Sequence, residues 1–183
     1  DLKGLMKAAY YDPNPVIILE HKGLYWSKVP GTKGATSVEP AADYILPFGK
    51  AWVLQEIWKQ ESKETISIIT YGMGVHWAKK AIKEKNISAD ILDLRTLLPL
   101  DKESIFESVK KTNKVLVLHE DCLTGGIGGE ISSLINENCF EYLDAPIKRV
   151  GSLETPIPFA KSLEKNYLPI DRLYTEIQEL LNY

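Results

Sequence analysis

The chain has 183 residues, 44% of them hydrophobic and 26% charged, which suits one well-buried core with an appended segment and excludes disorder and fibrous repeats. With 22 Lys and Arg against 25 Asp and Glu the formal net charge is −3, so no basic surplus points to nucleic acid or to an anionic membrane. The longest apolar runs, such as Val16 to Leu19 and Val115 to Leu118, are four residues long against the roughly 20 of a membrane span.

Leu2, Leu5, Met6 and Ala9 form a stripe at helical spacing, and Asp12-Pro13-Asn14-Pro15 stops any helix, so a short opening helix is predicted. Val16-Ile17-Ile18-Leu19-Glu20 is a continuous apolar, largely β-branched run, the pattern of a strand buried on both faces. From Lys22 to Pro47 the periodicity is lost among Pro30-Gly31, Lys33-Gly34, Pro40 and Pro47. These 26 residues are too many for an ordinary connection within one compact domain and predict a linker between two.

Beyond the linker, strand-like runs occur at Ala51 to Gln55, Ile66 to Tyr71, Ala89 to Leu94, Val115 to His119 and Ile147 to Val150. Val75, Ala78 and Ile82 mark a helix from Met73 to Lys85, and Ile105 with Val109 marks another. Asp101 stands in front of this second helix as its N-cap, with Ser104 where a full capping box would place Glu. Ile131, Leu134, Ile135, Asn138 and Cys139 mark a third helix, and Leu173, Ile177, Leu180 and Leu181 a fourth. Strands alternating with helices predict right-handed βαβ units, hence a three-layer αβα sandwich on a mostly parallel five-stranded sheet. The connection through Glu61-Ser62-Lys63-Glu64 is too short for a crossover helix, so the first strand is predicted to be antiparallel at an edge.

The loop Thr124-Gly125-Gly126-Ile127-Gly128-Gly129-Glu130 lies between a strand and a helix, where helix N-terminal amides of α/β proteins bind anions. Two readings stand: an anion loop, or glycines that let the turn and helix approach the sheet. The second is favoured, because no Lys-Ser/Thr follows and Ile131 fills the third glycine position of a dinucleotide fingerprint. His119-Glu120-Asp121 is either a metal or proton-shuttling group or a polar strand end, and adjacent strand residues point to opposite faces. Glu20-His21-Lys22 ends the first run in the same way, and His76, among Lys79, Lys80, Lys83 and Lys85, reads as surface. No Gly-x-Ser-x-Gly elbow occurs.

Cys122 and Cys139, with sixteen residues between them, lack metal or redox spacing and read as free buried thiols in a cytoplasmic chain without a visible signal peptide. Two further features resemble contact surfaces. Trp26, Trp52, Trp58 and Trp77 are either interface anchors or core. Glu137, Glu141 and Asp144, with the first two four apart on one predicted helical face, either form a solvated face or receive a basic partner.

Seven ordered motifs then define a resemblance: Asp12 to Lys22, Leu46-Pro-Phe-Gly-Lys-Ala51, Thr70-Tyr-Gly72, Asp93-Leu-Arg-Thr-Leu-Leu-Pro-Leu-Asp101, His119-Glu120 with Thr124-Gly-Gly126, Leu143-Asp-Ala-Pro146, and Pro156-Ile-Pro-Phe159. Together they resemble the carboxyl-terminal half of the β-subunit of thiamine-diphosphate-dependent 2-oxo acid dehydrogenases. The resemblance implies that residues 1–22 end a pyrimidine-binding domain, that 23–47 link the domains, and that 48–183 form a transketolase C-terminal domain. It implies thiamine diphosphate and magnesium in a whole enzyme. None is expected on this chain, which lacks the family's Gly-Asp-Gly motif and its activating glutamate, so no catalytic residue is carried over.

The implied partners are an α-type cofactor-binding subunit or domain, a second β copy and the acyltransferase core, with neither nucleic acid nor membrane. The implied substrate is 2-oxoisovalerate or pyruvate. Asp144 and Tyr183 match the family's docking positions, with Glu141 beside them. Lys148-Arg149 departs from relatives that are acidic there. Transketolase and deoxyxylulose-phosphate synthase share the same terminal domain and remain as alternatives, together with a stand-alone anion-binding module.

Overall fold

Strands buried on both faces need apolar residues at successive positions, and the predicted runs from Ile66, Ala89 and Val115 form buried strands for that reason, whereas the run from Ala51 forms a strand with Trp52 and Val53 exposed. The computed structural model describes residues 1–26, 29–56 and 65–183. Within it, β1 (Trp52–Glu56), β2 (Thr65–Thr70), β3 (Ser88–Asp93), β4 (Val115–Cys122) and β5 (Lys148–Ser152) form one sheet in the order β1-β3-β2-β4-β5. Pairings among β2, β3, β4 and β5 are parallel, and β1 lies antiparallel to β3 at the edge, with Trp52 opposite Asp93. The predicted antiparallel edge is therefore present, although β1 joins β3 and not β2, its successor in sequence. The Glu61 to Glu64 connection and Trp58 lie outside the described residues.

The helices are α1 (Leu2–Tyr11), α2 (Met73–Lys85), α3 (Lys102–Thr112), α4 (Ile127–Cys139), α5 (Lys161–Tyr167) and α6 (Ile170–Leu181). Alternation along the strands divides the core into two layers. Ile66, Ile68, Leu116 and Leu118 pack against Ala78 and Ile82 of α2 and Leu173 and Ile177 of α6. Ile69, Val115 and Val117 pack against Ile105 and Val109 of α3 and Ile131 and Ile135 of α4. Each of these isoleucines and leucines contributes about 1.5–3 kcal/mol by leaving water. The three-layer αβα sandwich is thus built as its periodicities predict. The short α5 buries only Tyr167 and offers no apolar stripe to read.

Two polar devices fix the layers. In the first, Ser67 Oγ lies 2.6 Å from Ser108 Oγ and 2.7 Å from Thr112 Oγ1, joining β2 to α3 inside the core with every hydroxyl partnered. In the second, Asp101 caps α3 by accepting the Ser104 amide at 3.2 Å, and also accepts the Ala51 amide at 2.8 Å, so one carboxylate joins a helix start to the entry of β1. Burial pushes the Asp101 carboxyl up, but hydrogen bonds from Ala51 and Ser104 and the Lys50 charge together hold it below the usual carboxylate range.

The first 47 residues form an arm against this sandwich. Asp1 receives a two-pronged contact from Arg95, Nε at 3.0 Å and Nη2 at 2.9 Å, and the same guanidinium lies 5.1 Å from the centre of the Trp52 ring. Gly4 is buried because a Cβ there would sit 2.8 Å from the Leu46 Cβ, while Leu2 and Met6 of the predicted apolar stripe are exposed. The predicted strand at Val16 to Leu19 does not form. Exposure alternates along it, 37% at Val16 and 38% at Ile18 against 87% at Ile17 and 88% at Leu19. The period of two survives, but no described strand pairs with it, and propensity alone does not bury a run.

Replacing Asp101 by Ala is expected to cost on the order of 1–2 kcal/mol of stability at neutral pH through the lost cap. Because the folded carboxyl is held low, its stabilisation is complete above about pH 4 and disappears as pH falls further. Urea unfolding at pH 7 and pH 3 should therefore show a smaller pH difference for Asp101→Ala than for the unmodified chain. An unchanged difference would assign the acid sensitivity to other carboxylates.

Candidate functional site

A parallel sheet covered on both faces offers side chains to solvent at its two ends, and the candidate residues divide between them. At the end where β4 starts, Asn113 closes α3 in a left-handed conformation with φ of 62°, the usual place for Asn after a helix. Its carbonyl accepts the Asp144 amide at 2.9 Å and its side-chain Nδ2 donates to the Tyr142 carbonyl at 2.6 Å. The next residue, Lys114, reaches the other layer and donates from Nζ to the Leu181 carbonyl at the end of α6, at 3.3 Å.

The turn at Asn113 and Lys114 thereby connects both predicted docking elements. Asp144 and Glu141 lie exposed in one short stretch, and Tyr183 lies exposed just beyond α6. One part of the predicted acidic face is corrected: α4 ends at Cys139, and Glu141 belongs to a 3-10 turn, Phe140–Tyr142, so it does not share a helical face with Glu137. Beside Asp144 lies an open groove of about 710 Å³, lined among others by Ser132, Asn136, Phe140, Pro146 and Arg149. Phe140 is 71% exposed, giving this groove an apolar lip next to the acid. Lys148, which the sequence sets close to the acidic stretch, is paired within the chain at 2.8 Å to Glu176 and 2.7 Å to Glu179, and the two carboxylates raise its pKa.

At the opposite end, the glycine loop encloses His119. This imidazole is 1% exposed, and its Nδ1 lies 3.0 Å from the Asp121 carbonyl, an acceptor, so Nδ1 carries the proton of the neutral ring. A Cβ on Gly128 would sit 2.6 Å from His119 Nε2, one on Gly126 2.8 Å from Cε1, and one on Gly151 3.1 Å from Cε1. The glycines form a slot for the ring, as the packing reading of Gly126 and Gly128 expects. Gly125 has φ of 73°, and a Cβ there would meet nothing within 4 Å. A Cβ on Gly129 would face only the Arg149 guanidinium, at 3.6 Å.

His119, Glu120 and Asp121 do not converge. Glu120 Oε2 lies 3.4 Å from His21 Nε2 of the arm, and Asp121 Oδ1 accepts the Cys122 amide at 2.8 Å. Burial lowers the His119 pKa, more than the Asp121 carbonyl and carboxylate raise it, so the ring stays neutral near pH 7. Among the described residues no group of three or more His, Cys, Asp or Glu side chains is disposed to hold a metal ion. Cys122 is partly exposed, but burial and the neighbouring Asp121 and Glu154 raise its thiol pKa, the opposite of an activated nucleophile.

His76 is half-buried and not at the surface as predicted, and burial lowers its pKa too. Of the tryptophans, Trp77 belongs to the core, whereas Trp26 and Trp52 are exposed. Sequence reasoning missed Asn113 and Lys114. The Asn after Lys110-Lys111-Thr112 is a readable helix stop, but what that stop grips, thirty and seventy residues away, is not.

The model of the "Transketolase, C-terminal domain" family matches residues 56–172. The chain is 42% identical over 188 residues to the β-subunit of 2-oxoisovalerate dehydrogenase of Bacillus subtilis, covering 100% of this chain and 54% of that protein. It is 40% identical over 174 residues to the β-subunit of the pyruvate dehydrogenase E1 component of Rickettsia felis, covering 92% of this chain and 48% of that protein. The chain thus spans about half the length of the curated relatives it matches. Among solved structures, a split-gene transketolase described as an inactive beta4 tetramer superposes with a TM-score of 0.61 at 23% identity, over 78% of this chain and 44% of that one, a likeness of fold.

Gly128→Ala should destabilise the fold by roughly 1–3 kcal/mol by driving a methyl group into the His119 ring. Pairing it with His119→Ala should recover part of that loss, so the two effects measured by urea unfolding are non-additive. Strict additivity would mean that the two sites do not share a slot.

Proposed function

The chain belongs to the transketolase C-terminal domain family, and on that premise we propose that it is the assembly and partner-docking region of a 2-oxo acid dehydrogenase β-subunit. The observation that carries the reading is the 42% identity to a 2-oxoisovalerate dehydrogenase β-subunit across the whole chain. Residues 1–22 are the end of a pyrimidine-binding domain, residues 23–47 an interdomain linker, and residues 48–183 the C-terminal domain. The exposed Val16 to Leu19 run accords with the first assignment, since it has the pattern of a strand whose neighbours belong to the rest of that domain.

In the whole enzyme thiamine diphosphate supplies the decarboxylation chemistry. The residues present here do not fit that group: the sequence has no Gly-Asp-Gly motif, and beside the glycine loop Glu120 faces His21 of the arm while Asp121 accepts the Cys122 amide. No catalytic step is therefore assigned to this chain. Its work is to hold subunits together and to receive the acyltransferase that accepts the acyl group. Asp144, beside the apolar lip of Phe140, is the contact for a cationic side chain of that partner, with Glu141 and Tyr183 in support. Lys148 does not oppose such docking, because Glu176 and Glu179 already neutralise it. The branched-chain substrate is preferred to pyruvate because the alignment with the branched-chain relative covers all of this chain, against 92% for the pyruvate enzyme.

Two measurements test this. The full-length subunit, reassembled with its α-type partner, should decarboxylate 2-oxoisovalerate faster than pyruvate in the presence of thiamine diphosphate and magnesium. Turnover of sugar phosphates without 2-oxo acid decarboxylation would move the chain to the transketolase branch. Asp144→Lys in the same assembly should weaken capture of the acyltransferase's basic domain by about tenfold or more, as expected for reversing one charge of a close pair. Unchanged capture would remove Asp144 from the docking contact.

A further inference from the structure

We infer that Asn113 and Lys114, supported by Lys148, are positioning residues that hold the Asp144 stretch and the end of α6 in one rigid frame, so that a basic partner meets both together. The inference rests on the docking reading above and adds to it the residues that preorganise the surface. Leu143 to Ile147 carries no helix or strand, and without restraint Asp144 would have to be ordered each time a partner bound. Asn113 supplies that restraint twice, through its carbonyl to the Asp144 amide and through Nδ2 to the Tyr142 carbonyl, bracketing Leu143 on both sides.

From the adjoining residue, Lys114 carries its ammonium through the sheet end to the Leu181 carbonyl, where a cation also complements the negative end of the α6 dipole. Lys148, four residues after Asp144, reaches Glu176 and Glu179 on the same helix. Two independent links therefore tie one docking element to the other across the sheet. The partner this frame fits is a small folded basic domain that presents a cation to Asp144 and a second contact to the end of α6 at a fixed separation. A flexible basic peptide would gain little from such a frame.

The test uses the full-length subunit in its assembled enzyme and calorimetric titration with the acyltransferase's basic domain. Asn113→Gly keeps the left-handed turn but removes the side-chain amide, and is expected to weaken binding roughly three- to tenfold with little change in melting temperature. In an Asp144→Asn background the same substitution should have no further effect, because the frame then holds no charge. Lys114→Met should weaken binding by a similar factor, and Lys114→Arg should restore most of it. Wild-type binding that Asn113→Gly leaves unchanged, or weakens equally with and without Asp144, overturns this inference and leaves the docking reading intact. Absence of binding by the unmodified enzyme overturns both.

Discussion

Burial of the sheet on both faces is the constraint from which the rest of the molecule follows. Once α2 and α6 cover one face and α3 and α4 the other, the strand residues become core, and a polar side chain such as Ser67 is held there by the hydroxyls of Ser108 and Thr112. Chemistry or recognition is confined to the two ends of the sheet. At one end the glycine loop closes around a neutral histidine and the arm is tied down. At the other, acids stand exposed beside a mixed groove with the apolar lip of Phe140. The division of labour between a closed end and an open one is a consequence of layer packing before it is a matter of individual residues.

Cations illustrate the same economy of surface. Arg95 is engaged by Asp1 and Trp52, Lys111 by the buried Asp90, and Lys148 by two glutamates of α6. Lys148, the one of these that a linear reading would set against the acidic stretch, is thus an internal tie. A charge count by proximity along the chain therefore misjudges Lys148, while the exposed Arg149 shares the groove with Asp144.

The sandwich was legible because apolar runs, helix stripes and the Asp101 cap agree with one another at every step from Trp52 onward. The partner of β1 was not, since sequence adjacency favours β2 and only the register with β3 places Trp52 over Arg95. The Val16 to Leu19 run forms no strand here because β-propensity expresses fit to a paired, half-buried surface, and no described strand pairs with it. In the candidate site, Asp144 and Glu141 were visible as exposed acids near a loop motif, and the glycines as a strand-to-helix turn. The support that Asn113 gives to Tyr142 and Asp144 was invisible, because a hydrogen bond from a helix stop to a loop thirty residues later leaves no periodic trace.

That Val16 to Leu19 run has a consequence for the chain in concentrated solution. Four uncharged apolar residues with alternating faces are the pattern that stacks into intermolecular sheets when left uncovered. Pro13 and Pro15 stand immediately before it, and Glu20, His21 and Lys22 immediately after. Prolines cannot extend a hydrogen-bonded ladder, and in-register stacking would align like charges, so both flanks act as gatekeepers of a segment that interior burial does not protect. The segment carries its own safeguard against self-assembly, written in the residues that bound it.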